Sequence, residues 1–334
     1  MDGGAIRGPR HIRDIQTPSR EEIEKHNLTH LPFRNWCPHC MKGRGKEAPH
    51  RRVEGGPGEL PEISLDFCFP SKEDGTGMLT ILGARERHTK MTLSTVIPSK
   101  TTGAFAARRV WAFLREIGCK YGDIILKCDQ EPAIMALVSE ISKLRAENGG
   151  VGRTIEENSP VGSSSSNGIV ERAIQSVEEQ IRVMSSALEG KWKSAIPIKH
   201  AIWPWLVEYA SYLLNRCNVG SDGKTAYERS KGKAAHFVDH EFGEVILRKK
   251  KHMKGPLGKL DSTWSKGIFL GVKGISDEKI VGTPEGIFKT RTTQRVPIEE
   301  RWIPEASGMV GGVPWLLNGQ DEQADGEPLS GEPL

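Results

Sequence analysis

Asp123-Ile-Ile-Leu-Lys-Cys-Asp129 is a short apolar run ended by an acid, and its flanks set the fold class. A run of this length, rich in β-branched residues, reads as a buried strand. Upstream, Gly103 to Ile117 carries Phe105, Val110, Phe113, Leu114 and Ile117 at helical spacing, and Gly118 stops it. Downstream, a helix is expected from about Glu131 to Ala146, then an extended run near Arg153–Ile155 and a Ser/Gly loop. A long helix begins at about Asn167; Val170, Ala173, Val177, Ile181, Met184 and Leu188 form its apolar stripe. Before all of these stand three strand-like runs, 62–69, 78–82 and 90–97. Three strands, helix, strand, helix, strand, helix is the pattern of an α/β layer whose last strands are parallel.

Three acids fall where that order would let them converge. Asp66 lies in the first strand, with Leu65 and Phe67 on the opposite face by the two-residue period. Asp129 ends the fourth strand, and open α/β sheets bind ligands at such ends. Glu171 is in the first turn of the long helix, at the border of its apolar stripe. Two Asp and one Glu on separate rigid elements suit a pair of hard divalent cations, which take oxygen ligands and promote phosphodiester displacement. Spacing alone leaves rivals open: Glu156, Glu157 and Glu178 for Glu171, and Asp123 or Glu131 for Asp129. An Asp at a strand end also reads as a turn former or helix cap.

Family resemblance narrows this. Asn167-Gly-Ile-Val-Glu-Arg172 resembles the N-G-x-x-E-R signature that carries the catalytic Glu of retrotransposon and retroviral integrases. Leu65-Asp66 and Lys127-Cys128-Asp129 resemble the segments of that family's first and second Asp. Trp203 through Asn215-Arg216, then Thr225-Ala-Tyr-Glu228, resembles the post-catalytic segment of copia-type elements, with Ala226 in place of a Pro. Trp264-Ser-Lys-Gly-Ile-Phe-Leu-Gly271 resembles the small β-domain that follows copia-type cores. The resemblance spans about residues 20–300 and is to the integrase region of a copia-type LTR retrotransposon Pol polyprotein. It implies a ribonuclease-H-like core, a mixed five-stranded sheet with flanking helices, holding Mg²⁺ or Mn²⁺ on Asp66, Asp129 and Glu171. It implies DNA 3′-end processing and strand transfer, with element ends and target DNA as partners, a homo-multimer, and no small-molecule substrate beyond water. One departure is the 41 residues between Asp129 and Glu171, longer than the usual retroviral spacing; Arg145–Gly152 and Pro160–Gly168 can absorb the excess. A catalytically inactive or domesticated DNA-binding remnant, or another ribonuclease-H-like nuclease, stays open beside this reading.

His26, His30, Cys37 and Cys40 form H-x3-H-x6-C-x2-C, four N/S ligands for a closed tetrahedral zinc site. The same residue types make the zinc domain that precedes integrase cores, though with a longer gap after the second His. His39 and His50 are rivals, and His30, Cys37, Cys40 and His50 would also close a site.

Charge separates along the chain. The 334 residues carry a net +4, but residues 305–334 hold six acids and no Lys or Arg. Residues 1–304 therefore set 47 basic residues against 37 acids, or +10. Such a body suits a polyanionic partner, and the acidic Gly/Pro-rich end reads as a solvated tail. Two basic segments flank the core, 34–52 and 248–273. Candidate DNA contacts are Lys42, Arg44, Lys46, Arg51, Arg52, Arg172, Gln175, Arg182, Arg248, Lys249, Lys250, Lys251 and Lys254. Arg248 to Lys251 also reads as a nuclear-localisation run or a solvated loop.

The expected layout is a flexible 1–19, a zinc module over 20–52, a linker 53–59 and the core over 60–235. A small basic SH3-like β-barrel over 240–303 and a disordered tail over 304–334 follow. No stretch reaches 18 uninterrupted apolar residues and the N-terminus lacks an apolar signal region, so neither a membrane span nor secretion is expected. Six cysteines are too sparse for a disulfide scaffold. The expected setting is intracellular, with the nucleus as the place of action.

Overall fold

A computed structural model of the chain describes residues 17–44, 60–71, 78–98, 104–158, 168–235, 240–250 and 262–317. Its first sheet contains β1 (Glu62–Cys68), β2 (Ile81–Glu86), β3 (Thr92–Val96), β4 (Ile124–Cys128) and β5 (Thr154–Asn158). The strand order is β3-β2-β1-β4-β5, antiparallel through β3, β2 and β1 and parallel through β1, β4 and β5. The sheet is mixed and five-stranded, as expected. The second strand is displaced from its expected place: it starts at Ile81, and Met78 makes only an isolated bridge to Ser71. Arg85 and Glu86, beyond the expected run, pair with Ser64 and Ile63.

Alternation sends Ile63, Leu65 and Phe67 to one face, where they pack with α3 (Ala104–Glu116) and α4 (Pro132–Glu147). Arg145 of α4, 1% exposed, fixes the turns around β4 and β5. Its guanidinium donates to the carbonyls of Cys119 at 3.2 Å, Gly152 at 3.0 Å and Gly122 at 2.5 Å, and to Thr154 Oγ1 at 3.0 Å. Ser64, Asp66 and Cys68 point the other way, toward α5 (Gly168–Trp192) and α6 (Ile202–Cys217). α1 (Arg20–Thr29) and α2 (Pro38–Arg44) precede the sheet, and α2 packs on α5. Ser19 caps α1 in a capping box with Glu22.

After the short α7 (Ala226–Lys231) comes a second, antiparallel sheet of β6 (Val245–Lys249), β7 (Trp264–Val272), β8 (Lys279–Thr283), β9 (Gly286–Thr290) and β10 (Thr293–Arg295). Its order is β10-β6-β7-β8-β9. This sheet shares a core with α5 and α6. Tyr209 of α6 stacks on Phe242 with centroids 5.6 Å apart and meets Phe269 edge-on at 5.5 Å.

The tail expectation needs correction over 304–317. Pro304–Met309 is a 3₁₀ helix with Ala306 fully buried. Trp205 donates its indole N–H to the Gly312 carbonyl at 2.9 Å, and Trp315 lies 5.9 Å from the Phe105 ring. Low positive charge concealed an apolar run, Trp302, Ile303, Ala306, Met309, Trp315 and Leu317, that belongs to the core cluster. Residues 318–334, 1–16 and the linker 53–59 lie outside the described residues.

Candidate functional site

Asp66 lies within β1 and Asp129 one residue past the end of β4. β1 and β4 are parallel, and their pairing runs from Glu62–Ile125 to Ser64–Lys127, two residues short of the acids. Alternation puts Asp66 on the face toward α5, away from Leu65 and Phe67, and the charge of Asp129 acts on it. The third acid comes with that helix. Gly83 is the β2 partner of Asp66, and a Cβ there would lie 2.7 Å from Cγ1 and 2.9 Å from Cδ1 of Ile174. The missing side chain lets α5 lie close on the sheet, one turn beyond Glu171.

The electrostatics agree with proximity. The Asp66 carboxyl is pushed up to about 6, first by burial and then by the charges of Asp129, Glu171 and Glu131, against the opposing pull of the Phe67 amide. That amide donates to Asp66 Oδ1 at 2.8 Å. Asp129 Oδ1 accepts from the Glu131 amide at 3.1 Å, so this Asp also shapes the turn into α4. The carboxyls are not packed into a single tight knot: among the described residues, ligand atoms gather within 4.8 Å only in the His/Cys group below.

The rival acids separate by their partners. Glu156 accepts from Ser139 and Ser142 of α4, on the opposite face. Glu157 pairs with Lys127 at 3.0 Å. Asp123 pairs with Arg153 at 2.7 Å at the far end of β4. Glu178 lies near Cys68, whose thiol is pushed up to about 12 by burial and then by Glu178 and Asp66. Glu131 stays within the field of Asp66. Asp66, Asp129 and Glu171 are half-buried acids of one sign, and positive charge placed among them would offset their repulsion.

The second cluster is tighter. The ligand atoms of His26, His30, Cys37 and Cys40 all lie within 4.8 Å of one another, and all four residues are buried. His26 Nε2 is 3.2 Å from Cys40 Sγ, and His30 Nδ1 is 3.6 Å from Cys37 Sγ. A tetrahedral zinc with bonds of about 2.0 Å to nitrogen and 2.3 Å to sulfur separates its ligands by about 3.3–3.8 Å. The donor set fits zinc. His30 reaches it from a left-handed position, φ 52°, at the end of α1. Cys37 is held well below the usual thiol range, chiefly by a hydrogen bond from Cys40, which is pushed correspondingly up. Of the rival histidines, His39 hydrogen-bonds Ser186 of α5 at 2.9 Å, and His50 lies outside the described residues.

This cluster sits on the helix that carries Glu171. Gln180 of α5, fully buried, donates to the Thr29 carbonyl at 2.8 Å and accepts from Arg44. A Cβ at Gly43 would lie 2.4 Å from Val183 Cγ2, so α2 packs tightly on α5. Sequence reasoning missed Gly83 and Gln180. A glycine inside a strand does signal close approach of another element; a buried Gln on a helix leaves no such mark.

The expected DNA contacts divide. Lys42, Arg172, Gln175, Arg182 and Lys249 are exposed, and Lys250 is half-buried. Arg44 is corrected: its guanidinium is partly buried and bound to Gln180, an internal partner. Arg248 lies flat on the Phe288 ring, 3.8 Å from the centroid. Lys46, Arg51, Arg52, Lys251 and Lys254 lie outside the described residues. Among the described residues, no helix is long and apolar enough to cross a membrane.

No family model and no curated protein matches the chain. Among solved structures it is similar to a chain of the simian T-cell lymphotropic virus intasome in complex with PP2A regulatory subunit B56 gamma. The identity is 12% and the TM-score 0.39, covering 78% of this chain and 87% of that one. It is also similar to the HTLV-2 integrase catalytic core domain in complex with magnesium, in trimeric and dimeric forms. There the identity is 15% and the TM-score 0.34, covering 52% of this chain and 99% of that one.

Proposed function

We propose that the chain is an integrase-type DNA strand transferase, the integrase region of a copia-like LTR retroelement. The observation that carries this reading is that the charges of Asp129, just past β4, and Glu171, in the first turn of α5, both act on the Asp66 carboxyl in β1. The Asn167–Arg172 resemblance supports it from the sequence side.

In this reading Asp66, Asp129 and Glu171 hold Mg²⁺ or Mn²⁺. Such ions, when bound, supply activation of the attacking oxygen and stabilisation of the leaving one in a phosphodiester displacement. The chain's own part is to fix the ligands. β1 and the end of β4 carry two of the carboxylates, and Gly83 lets the helix that bears the third lie close on the sheet. Burial keeps Asp66 reluctant to ionise until positive charge arrives. Exposed Arg172, Gln175 and Arg182 along α5 hold DNA by its backbone, which carries no sequence information. The His/Cys group binds zinc and is architectural, tying α1 and α2 to α5 through Gln180. The second sheet acts as a small SH3-like barrel presenting Lys249 and Lys250 to DNA. Element ends and target DNA are the partners, the working form is a homo-multimer, and the place of action is the nucleus.

A strand-transfer assay with Mg²⁺ or Mn²⁺ tests this, comparing wild type with Glu171→Gln. The reading expects joined products from the wild type and none from the variant. Equal products from both would overturn the role of Glu171. DNA binding by the wild type without metal-dependent joining would instead support a non-catalytic remnant.

A further inference from the structure

An ion pair stands beside the acids. Lys127 of β4 and Glu157 of β5 are register partners, with Nζ 3.0 Å from the carboxylate. Lys127 is also the β4 partner of Ser64 in β1. Ladder partners share a face, so Lys127 lies on the face that Ser64 shares with Asp66, one strand repeat or about 7 Å before it. Along β4, Lys127 precedes Asp129 by two residues.

Helices cover this face unevenly. α5 packs on β1, β2 and β3. In β5, Thr154 and Glu156 turn to the opposite face, where α4 binds them through Arg145, Ser139 and Ser142. Ile155 and Glu157 alternate to the near side, and both are exposed. The Glu157 side chain is 48% exposed and that of Lys127 only 15%. A shelf over β4 and β5 thus stays open beside the acids, with a lysine at its inner edge and an acid at its rim.

This pair parts easily. When one member is open to water, solvent screens the attraction and competes for the carboxylate. A lysine ammonium is a compact charge with rotatable donors, able to exchange one anionic oxygen for another. Opposite Lys127, the buried Ser64 hydroxyl has no hydrogen-bond partner among the described residues, a cost that packing alone does not explain. The charge around the acids is also one-sided. Asp66 lies in the field of Asp129, Glu171 and Glu131, and Lys127 is the one Lys or Arg in β1, β4 and β5. A DNA strand brought to these acids is repelled by them, and Lys127 is placed to offset that repulsion.

We propose that Lys127 binds a backbone phosphate of the DNA strand held at the acids, next to the scissile bond, and that Glu157 holds the lysine ready until DNA arrives. The inference rests on the strand-transfer reading for the identity of the phosphate. On binding, the ammonium leaves Glu157 for a phosphate oxygen, and the exposed carboxylate turns to water.

The test compares wild type with Lys127→Met, Lys127→Arg and Glu157→Gln in two assays on the full chain. In the first, a fluorescein-labelled duplex is titrated without divalent cation between about 50 and 200 mM salt, where phosphate contacts are resolved. In the second, strand transfer with Mn²⁺ yields KM for DNA and kcat. Lys127→Met should make the log–log salt slope shallower by about 0.9, the share of one phosphate, and should raise KM more than it lowers kcat. Lys127→Arg should restore both. Glu157→Gln should bind DNA more tightly than wild type, since the lysine then has no acid to leave. A pair that only fastens β5 to β4 would instead lose stability in Lys127→Met and Glu157→Gln alike, with no gain in DNA binding, and that result would overturn the proposal. So would an unchanged slope in Lys127→Met or a failure of Lys127→Arg to restore it. A wild type that binds with the predicted slopes yet joins no DNA would sink the strand-transfer reading and leave the Lys127 contact standing. Joining by the wild type with slope and KM unchanged in Lys127→Met would do the reverse.

Discussion

Asp129, one residue past the end of β4, acts by its charge on Asp66 of the neighbouring parallel strand β1. Burial first, and then the charges of Asp129 and Glu171, push the Asp66 carboxyl up to about 6. The arrangement therefore has an electrostatic signature that can be measured without catalysis.

The first prediction concerns pH. Asp66 ionises less readily folded than unfolded, so its contribution to stability is fully present below about pH 4 and is lost as pH rises through about 6. In metal-free protein, Asp66→Asn should melt above wild type at pH 7.5, and the gap should close below about pH 4. Saturating Mg²⁺ should raise the wild-type melting temperature and leave the variant where it was. A gap that does not vary with pH would remove the link to ionisation.

Gly83→Val tests the seating of α5. The added side chain meets Ile174, and overpacking of this kind costs about 1–3 kcal/mol. Denaturant unfolding should show that loss. Strand transfer at a temperature where the variant is folded should fall on the order of 10²-fold, since displacement of Glu171 by about 1 Å is enough for that. A stability loss with full activity would mean that the position of α5 is immaterial to chemistry.

The His/Cys group should hold about one zinc per chain, and Cys40→Ala should hold none. Elemental analysis of purified protein measures this directly. Zinc removal should also lower the melting temperature, because the metal binds only the folded arrangement. Metal content unchanged in Cys40→Ala would shift the ligand set to other residues.

Arg145→Met should destabilise the chain by about 1–3 kcal/mol. The methionine fits the apolar shaft but removes the donor to the carbonyls of Cys119, Gly122 and Gly152, of which Cys119 is buried. Urea titration checks it; a loss under about 1 kcal/mol would show that water reaches those carbonyls.

Much of the sheet was legible because its strands are short apolar runs cut by Gly, Pro and charge. Asp66 stood out as an acid between Leu65 and Phe67, and Asp129 as the acid ending an apolar run. β2 was read three residues early because four of its six residues, Gly83 to Glu86, carry no apolar pattern; pairing with β1 and β3 on both sides overrides that local preference. The docking of 304–317 was hidden by composition, since Gly and Pro are scattered among the Trp and aliphatic residues that enter the core. Arg44 shows the limit of charge counting: its position in a basic run suggested DNA, and its neighbour across the fold turned out to be Gln180.

An anomalous-difference map from crystals of the full chain soaked in Mn²⁺ tests the carboxylate site most directly. A manganese peak should contact the carboxylates of both Asp66 and Asp129 and be absent from crystals of Asp66→Asn. Manganese that binds elsewhere, with no peak between these two residues, would contradict it.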